Sequence, residues 1–133
     1  MPSIIKSIEI DQPAEAVWDA VADFGAVHRR FAPGFVTNVE LVHGGRMVTF
    51  ASGLVVKEVF LGLDHDARRL AYSVRSDRFE HHSASFQVAD AGAGRCRLTW
   101  IADVLPEAAA PALAGMMDQG LEAAQATLGR VPA

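Results

Sequence analysis

Hydrophobic and polar positions alternate along most of this chain, and the departures from alternation mark its helices. Over Ser3–Asp11, Ile4, Lys6, Ile8 and Ile10 alternate with Ser3, Ile5, Ser7 and Glu9, which predicts a strand rich in β-branched residues. Asp11 and Pro13 then mark a helix start, with Glu15 suited to the positive end of the first turn. Val17, Val21 and Phe24 form a short apolar stripe beside Trp18, and the helix stops near Gly25. Ala26–Phe31 reads as a second short helical turn, ended by Pro33–Gly34. From Phe35 the period is two. The candidate strands are Phe35–Val42, Arg46–Ser52, Leu54–Leu63, Arg69–Ser76, Glu80–Asp90 and Arg95–Leu105. Short linkers such as His43–Gly44–Gly45 and Ser52–Gly53 join them, so successive strands should pair antiparallel as a meander.

The period changes once more near the end. Leu113, Met117, Gly120, Leu121, Ala124 and Leu128 recur at steps of three and four and share one helix face, opposite Asp118, Glu122 and Gln125. Pro106–Ala110 reads as a lead-in turn and Pro111 as the first regular residue, where a missing N–H costs nothing. Gly129 supplies the stop and Pro132 prevents resumption. This helix would be roughly 27 Å long. Its buried face carries small residues and the flexible Met116 and Met117, so it could lie over a sheet without filling the space beneath, or pack with methionine as filler.

Length and composition narrow the class. A chain of 133 residues, half of them hydrophobic, is one domain, 1–133, with one substantial core. A net charge of −4 argues against a dedicated nucleic-acid or anionic-membrane surface. Cys96 is alone and cannot form an internal disulfide, the opening MPSIIKSIEID lacks a signal-like apolar core, and no window approaches a membrane span. A cytoplasmic, soluble protein without membrane insertion is expected.

Several local words follow one another along this order. They are Pro13-Ala14-Glu15-Ala16-Val17-Trp18, Asp23-Phe24, Gly45-Arg46, Gly53 with Glu58, Arg69-Leu70-Ala71-Tyr72 and Leu98-Thr99-Trp100. Together they give the whole chain a resemblance to the START-like (SRPBCC, helix-grip) superfamily, and more narrowly to the polyketide cyclase/dehydrase and lipid-transport family. The resemblance implies an α+β helix-grip fold: a seven-stranded antiparallel sheet curled around the long C-terminal helix, with two short helices after the first strand. It also implies an internal cavity for apolar or amphipathic small molecules such as lipids, polyketides or aromatic metabolites. It does not imply one activity, since such families include carriers, receptors, aromatases and cyclases.

Strand alternation assigns the inward faces. They are Cys96, Leu98, Trp100, Ala102 and Val104; His82, Ala84, Phe86 and Val88; Leu70, Tyr72 and Val74; Leu54, Val56, Glu58 and Phe60; and Arg46, Val48 and Phe50. The expected ligand contacts are therefore Arg46, Val48, Phe50, Val56, Glu58, Phe60, Tyr72, His82, Phe86 and Trp100 from the sheet, with Leu113, Met116, Met117 and Leu121 from the helix. A buried carboxylate needs a partner, and Arg46 is the natural one for Glu58. That pair either serves the ligand or only fixes strand register. Tyr72 either orients a ligand oxygen or belongs to the core, His82 either joins it or sits at the strand's wet end, and Trp100 is either core or a stacking surface. Trp18 and Phe24 read as helix-to-sheet packing.

No other chemistry emerges. His81 and His82 point to opposite faces and cannot share one ion, so no metal is expected, and nothing in the sequence implies a cofactor. No nucleophile context or phosphate loop is present. His28-Arg29-Arg30 is either a solvated face or a border of the cavity mouth. The expected partner is a small hydrophobic ligand, without nucleic acid, and edge strands could support a homodimer. Two functions remain: a binding module, or a polyketide cyclase/dehydratase in which Glu58 or His82 takes a proton and Arg46 or Tyr72 stabilises the oxyanion. A Glu58 locked bidentately by Arg46 would weaken the second, and a free carboxyl in an apolar pocket would favour it.

Overall fold

The computed structural model describes residues 1–129. Seven strands form one antiparallel sheet: β1 (Ser3–Ile10), β2 (Val36–Val42), β3 (Gly45–Phe50), β4 (Val55–Asp64), β5 (Arg69–Arg75), β6 (His81–Gly92) and β7 (Arg95–Leu105). Their spatial order is β1-β7-β6-β5-β4-β3-β2, so β2 to β7 are a meander and β1 closes onto β7. A helix α1 (Ala14–Ala22) and a π-helical turn at Val27–Phe31 carry the chain from one edge strand to the other. A 3-10 turn at Glu107–Ala109 leads into α2 (Ala110–Leu128). This is the α+β helix-grip architecture. The second short helix is wound wider than a regular one, with Ala32 N–H bonded to the Val27 carbonyl.

Register follows alternation. Along β7, Cys96, Leu98, Ala102 and Val104 are buried, whereas Arg95 and Arg97 are exposed beside Glu9 on β1. Ser85, assigned by alternation to the outer face, is nonetheless buried between its cross-strand neighbours Ala71 and Ile101. Bulges between Val36 and Asn38, Phe60 and Gly62, and Asp90 and Gly92 interrupt the ladders, and such irregularities bend and twist strands.

The long helix settles at one side of the concave face, closest to β1, β7 and the π turn. Leu113, Met117, Gly120, Leu121 and Ala124 are its buried face. Gln125 fixes the far end by donating to the Glu9 carbonyl at 2.9 Å. Gly129 ends the helix with an N–H to the Gln125 carbonyl, at φ −80° rather than in the left-handed form common at helix ends. Pro132 lies outside the described residues. Because α2 leans on β1 and β7, the surface of β3–β5 is left for other side chains to cover. No helix among the described residues is long and apolar enough to cross a membrane.

Candidate functional site

Antiparallel pairing of β3 with β4 sets Arg46 opposite Glu58, and pairing of β4 with β5 sets Phe60 opposite Tyr72. Both charged side chains point inward and are buried, 3% and 6% exposed. Arg46 Nε donates to Glu58 Oε1 at 2.8 Å, and Nη2 lies 2.6 Å from the same oxygen. Its Nη1 donates to the Phe24 carbonyl at 2.8 Å. The guanidinium carbon stands 3.9 Å from the Phe24 ring centre and 5.5 Å from that of Tyr72. A buried cation is thus matched by one carboxylate, one carbonyl and two aromatic faces, the kind of partnering its desolvation requires. Phe24, expected as plain packing, is the floor beneath this charge.

Two adjoining hollows border the pair. The inner chamber, with a volume of about 50 Å³, is bounded by the π turn and the sheet: Val27, Phe31, Phe35, Arg46, Val48, Phe50, Glu58, Leu70, Tyr72, Phe86, Trp100 and Gly120 are among its walls. The outer chamber, about 250 Å³, lies between β4–β5 and the start of α2. It is lined by Phe35, Phe50, Leu54, Val56, Glu58, Tyr72, Phe79, His82, Trp100, Leu113 and Met116, with Arg78 at its rim. Glu58, Tyr72, Trp100, Phe35 and Phe50 border both.

Tyr72 is the polar centre of these walls. Its hydroxyl accepts a hydrogen bond from Trp100 Nε1 at 3.0 Å. Burial, and then the Glu58 charge, raise the phenol far above its ordinary pKa, so it stays protonated. No described group accepts its own proton, which leaves an O–H donor that accepting a bond from Trp100 polarises further. Phe86 stacks between Tyr72 and Trp100, with ring centres 6.2 and 4.7 Å away.

His82 closes the outer chamber beside Phe79, ring centre to ring centre 4.7 Å, and its Nδ1 is buried without a described partner. Burial, and then His81, lower its pKa from the usual 6.5 to about 4. The folded protein therefore disfavours a proton that the unfolded chain takes up below about pH 6.5. Stability from this neutral ring is complete above that pH and is lost as the pH falls toward 4. Thermal melts across this window are expected to fall less steeply for His82→Phe than for the parent. Parallel curves would mean that His82 titrates like an exposed histidine.

Most expected residues converge. Arg46, Val48 and Phe86 line the inner chamber, Val56, His82, Leu113 and Met116 the outer, and Phe50, Glu58, Tyr72 and Trp100 both. Three do not. Phe60 faces the same way as Glu58 but lies beyond the chambers, 42% exposed and edge-on to Phe24, where the β4 bulge begins. Met117 and Leu121 are buried in the core rather than at a chamber wall, because α2 seats that stripe on the sheet.

Other walls escaped the reading. Phe31 and Val27 sit on a turn too short to show a period. Phe79 and Arg78 lie in the β5–β6 connection, where alternation has no meaning. Gly120 had a usable signal: a glycine inside a helix costs about 1 kcal/mol relative to alanine, so one on a buried face marks a close approach. A Cβ there would lie 2.9 Å from the Trp100 ring and 3.0 Å from that of Phe35.

The basic run His28-Arg29-Arg30 is not one free patch, since Arg30 is paired with Asp19 and Asp23 of the preceding segment. Trp18 is packed as expected and also donates to His65 Nδ1 at 3.1 Å. Among the described residues, no group of three or more potential ligands could hold a metal ion.

The model of a family described as polyketide cyclase/dehydrase and lipid transport matches residues 1–129. No curated protein matches the chain. Among solved structures, the protein XoxI from Bacillus cereus aligns with a TM-score of 0.86 at 20% identity, covering 96% of each chain. A START superfamily protein from Mycobacterium smegmatis aligns at 0.73 and 16%, covering 96% of this chain and 94% of that one. The di-domain ARO/CYC BexL of the BE-7585A biosynthetic pathway aligns at 0.82 and 17%, over 96% of this chain and 46% of its own. At these identities the likeness concerns the fold.

Proposed function

The chain belongs to the polyketide cyclase/dehydrase and lipid transport family, and from that premise we propose that it holds a small apolar or amphipathic molecule between β3–β5 and α2. The observation that carries this reading is the Tyr72 hydroxyl, a donor with no described acceptor of its own, set in a mostly apolar hollow against Glu58 and Trp100. Pockets for small molecules have this composition, an apolar wall with a few placed polar groups, and span roughly 300–1,000 Å³. An outer chamber of about 250 Å³ with a narrow inner end suits one or two rings, or a short chain, better than a long lipid.

A cyclase or dehydratase acting in the same hollow would need a proton acceptor. Glu58 is held by Arg46 through Oε1 alone rather than bidentately, and taking up a proton would still strand a buried guanidinium. His82 is neutral but weakly basic, with a pKa near 4. Both observations favour holding a ligand over transforming it.

Native mass spectrometry of freshly purified protein, with extraction of any bound compound, tests the reading directly. Tyr72→Phe deletes only the hydroxyl and is expected to weaken binding of an oxygen-bearing ligand about fivefold, the worth of one hydrogen bond near 1 kcal/mol. The same change leaves the Trp100 N–H without its partner, so a small loss of stability should accompany it. Equal affinity in both proteins would remove Tyr72 from the site.

A further inference from the structure

Arg78 stands at the rim of the outer chamber and also borders the two adjoining surface hollows, so it sits where all three meet. Among the described residues no carboxylate lies within ion-pair distance of its guanidinium. Arg29, Arg68, Arg69 and Arg75 likewise have no acidic partner among the described residues, so what distinguishes Arg78 is its place at the chamber. Arg78 is the only arginine or lysine among the described residues of the outer chamber's wall. The chain carries a net charge of −4, so this cation is not part of a generally basic surface.

The floor of the hollow offers no comparable partner for an anion. Arg46 there already serves Glu58 and the Phe24 carbonyl, and the nearest other charge is the Glu58 carboxylate itself. An acidic group driven inward would lose its water and meet a carboxylate instead of a free cation. The polarity of the site therefore runs one way: an O–H donor at the depth, apolar and aromatic walls from Phe35, Phe50, Leu54 and Met116, and an unpaired guanidinium at the exit.

We propose that the ligand is an amphipathic acid. Its apolar body fills the outer chamber, a neutral oxygen meets Tyr72 at the inner end, and its carboxylate pairs with Arg78 at the mouth. A guanidinium matches a carboxylate with two parallel hydrogen bonds, which suits this assignment. The assignment rests on the cavity-binding reading above and adds the charge and the orientation of what is bound.

A matched pair of probes tests it: naphthalene-2-acetate and 2-(naphthalen-2-yl)ethanol share one aromatic body and differ in the anionic end. Calorimetric titration at low ionic strength should show the parent protein preferring the acid by about fivefold, as expected for one partly exposed ion pair. Arg78→Gln should bring the two affinities together, mainly by weakening the acid, and Arg78→Lys should keep part of the preference. The exposed position of Arg78 in the β5–β6 connection makes both variants safe for folding. Equal affinities in the parent, or a preference that survives Arg78→Gln, would overturn the proposal while leaving the cavity reading in place. Binding of neither probe would overturn the cavity reading, and the assignment of an acid with it.

Discussion

Replacing Glu58 by alanine is expected to lower the unfolding free energy by about 3–5 kcal/mol, the usual result of leaving one member of a buried ion pair uncompensated. Arg46, 3% exposed in the parent, would be left on the inner face of β3 with only the Phe24 carbonyl and two aromatic rings against it. Ring faces attract a desolvated cation by about 2 kcal/mol or more, but both already do so in the parent and do not replace the carboxylate. Urea denaturation of parent and variant measures the difference, and a midpoint like that of the parent would mean that the pair is hydrated rather than buried. The double variant Arg46→Met/Glu58→Leu separates two explanations of the loss. Apolar side chains of similar volume should recover most of the stability, because two buried charges and their desolvation disappear together. If the double variant is no better than Glu58→Ala, the pair contributes through its own geometry and not only by neutralising itself. The apolar variant should also make the chamber floor less polar, so a fold that survives with altered ligand affinity would divide the structural role of the pair from its role in binding.

The sheet and its faces were legible in the sequence because the strands are buried mainly on one side, Ser85 on β6 being an exception. Under that constraint a period of two fixes which side chains point inward, and Arg46, Glu58, Tyr72 and Trp100 were all found on the inner face. Their pairing was legible too, since a short turn between β3 and β4 brings neighbouring inward positions opposite each other. What alternation cannot reveal is distance along the groove. Phe60 has the inward parity of Glu58 yet projects past the hollow, because the β4 bulge begins there and the β3 ladder ends at Gly45 beside it. On α2 the period gave the buried face but not its lateral position. The helix lies toward β1 and β7, so Met117 and Leu121 fill the core while Leu113 and Met116 reach the chamber. Phe31, Phe79 and Arg78 were illegible for a different reason. They come from connections, and a residue in a connection is placed by the elements on either side of it rather than by any period of its own.

Gly45→Ala is expected to be the most damaging single methyl in the protein. Gly45 begins β3 opposite Val59, and a Cβ there would lie 2.1 Å from the Glu58 carbonyl oxygen and 3.1 Å from the Val59 Cα. Both obstacles are backbone, so no side chain can turn aside. The two strands would have to part by about an ångström or more to restore ordinary contact, against a normal inter-strand spacing of about 4.8 Å. A loss of about 3 kcal/mol, the upper part of the overpacking range, is expected. The same separation would act on the adjacent Arg46–Glu58 pair, so probe affinity should fall along with stability. Gly44→Ala is the matching control. Gly44 has φ +75° with open space around its Cβ, so alanine there costs about 1 kcal/mol of backbone strain and leaves the chamber untouched. Denaturation midpoints and naphthyl-probe titrations of the two variants should therefore diverge, with Gly44→Ala keeping parental affinity and Gly45→Ala losing it. Equal losses of stability with parental affinity in both would show that β3 and β4 can open at Gly45 without disturbing Arg46, Glu58 or the chamber above them.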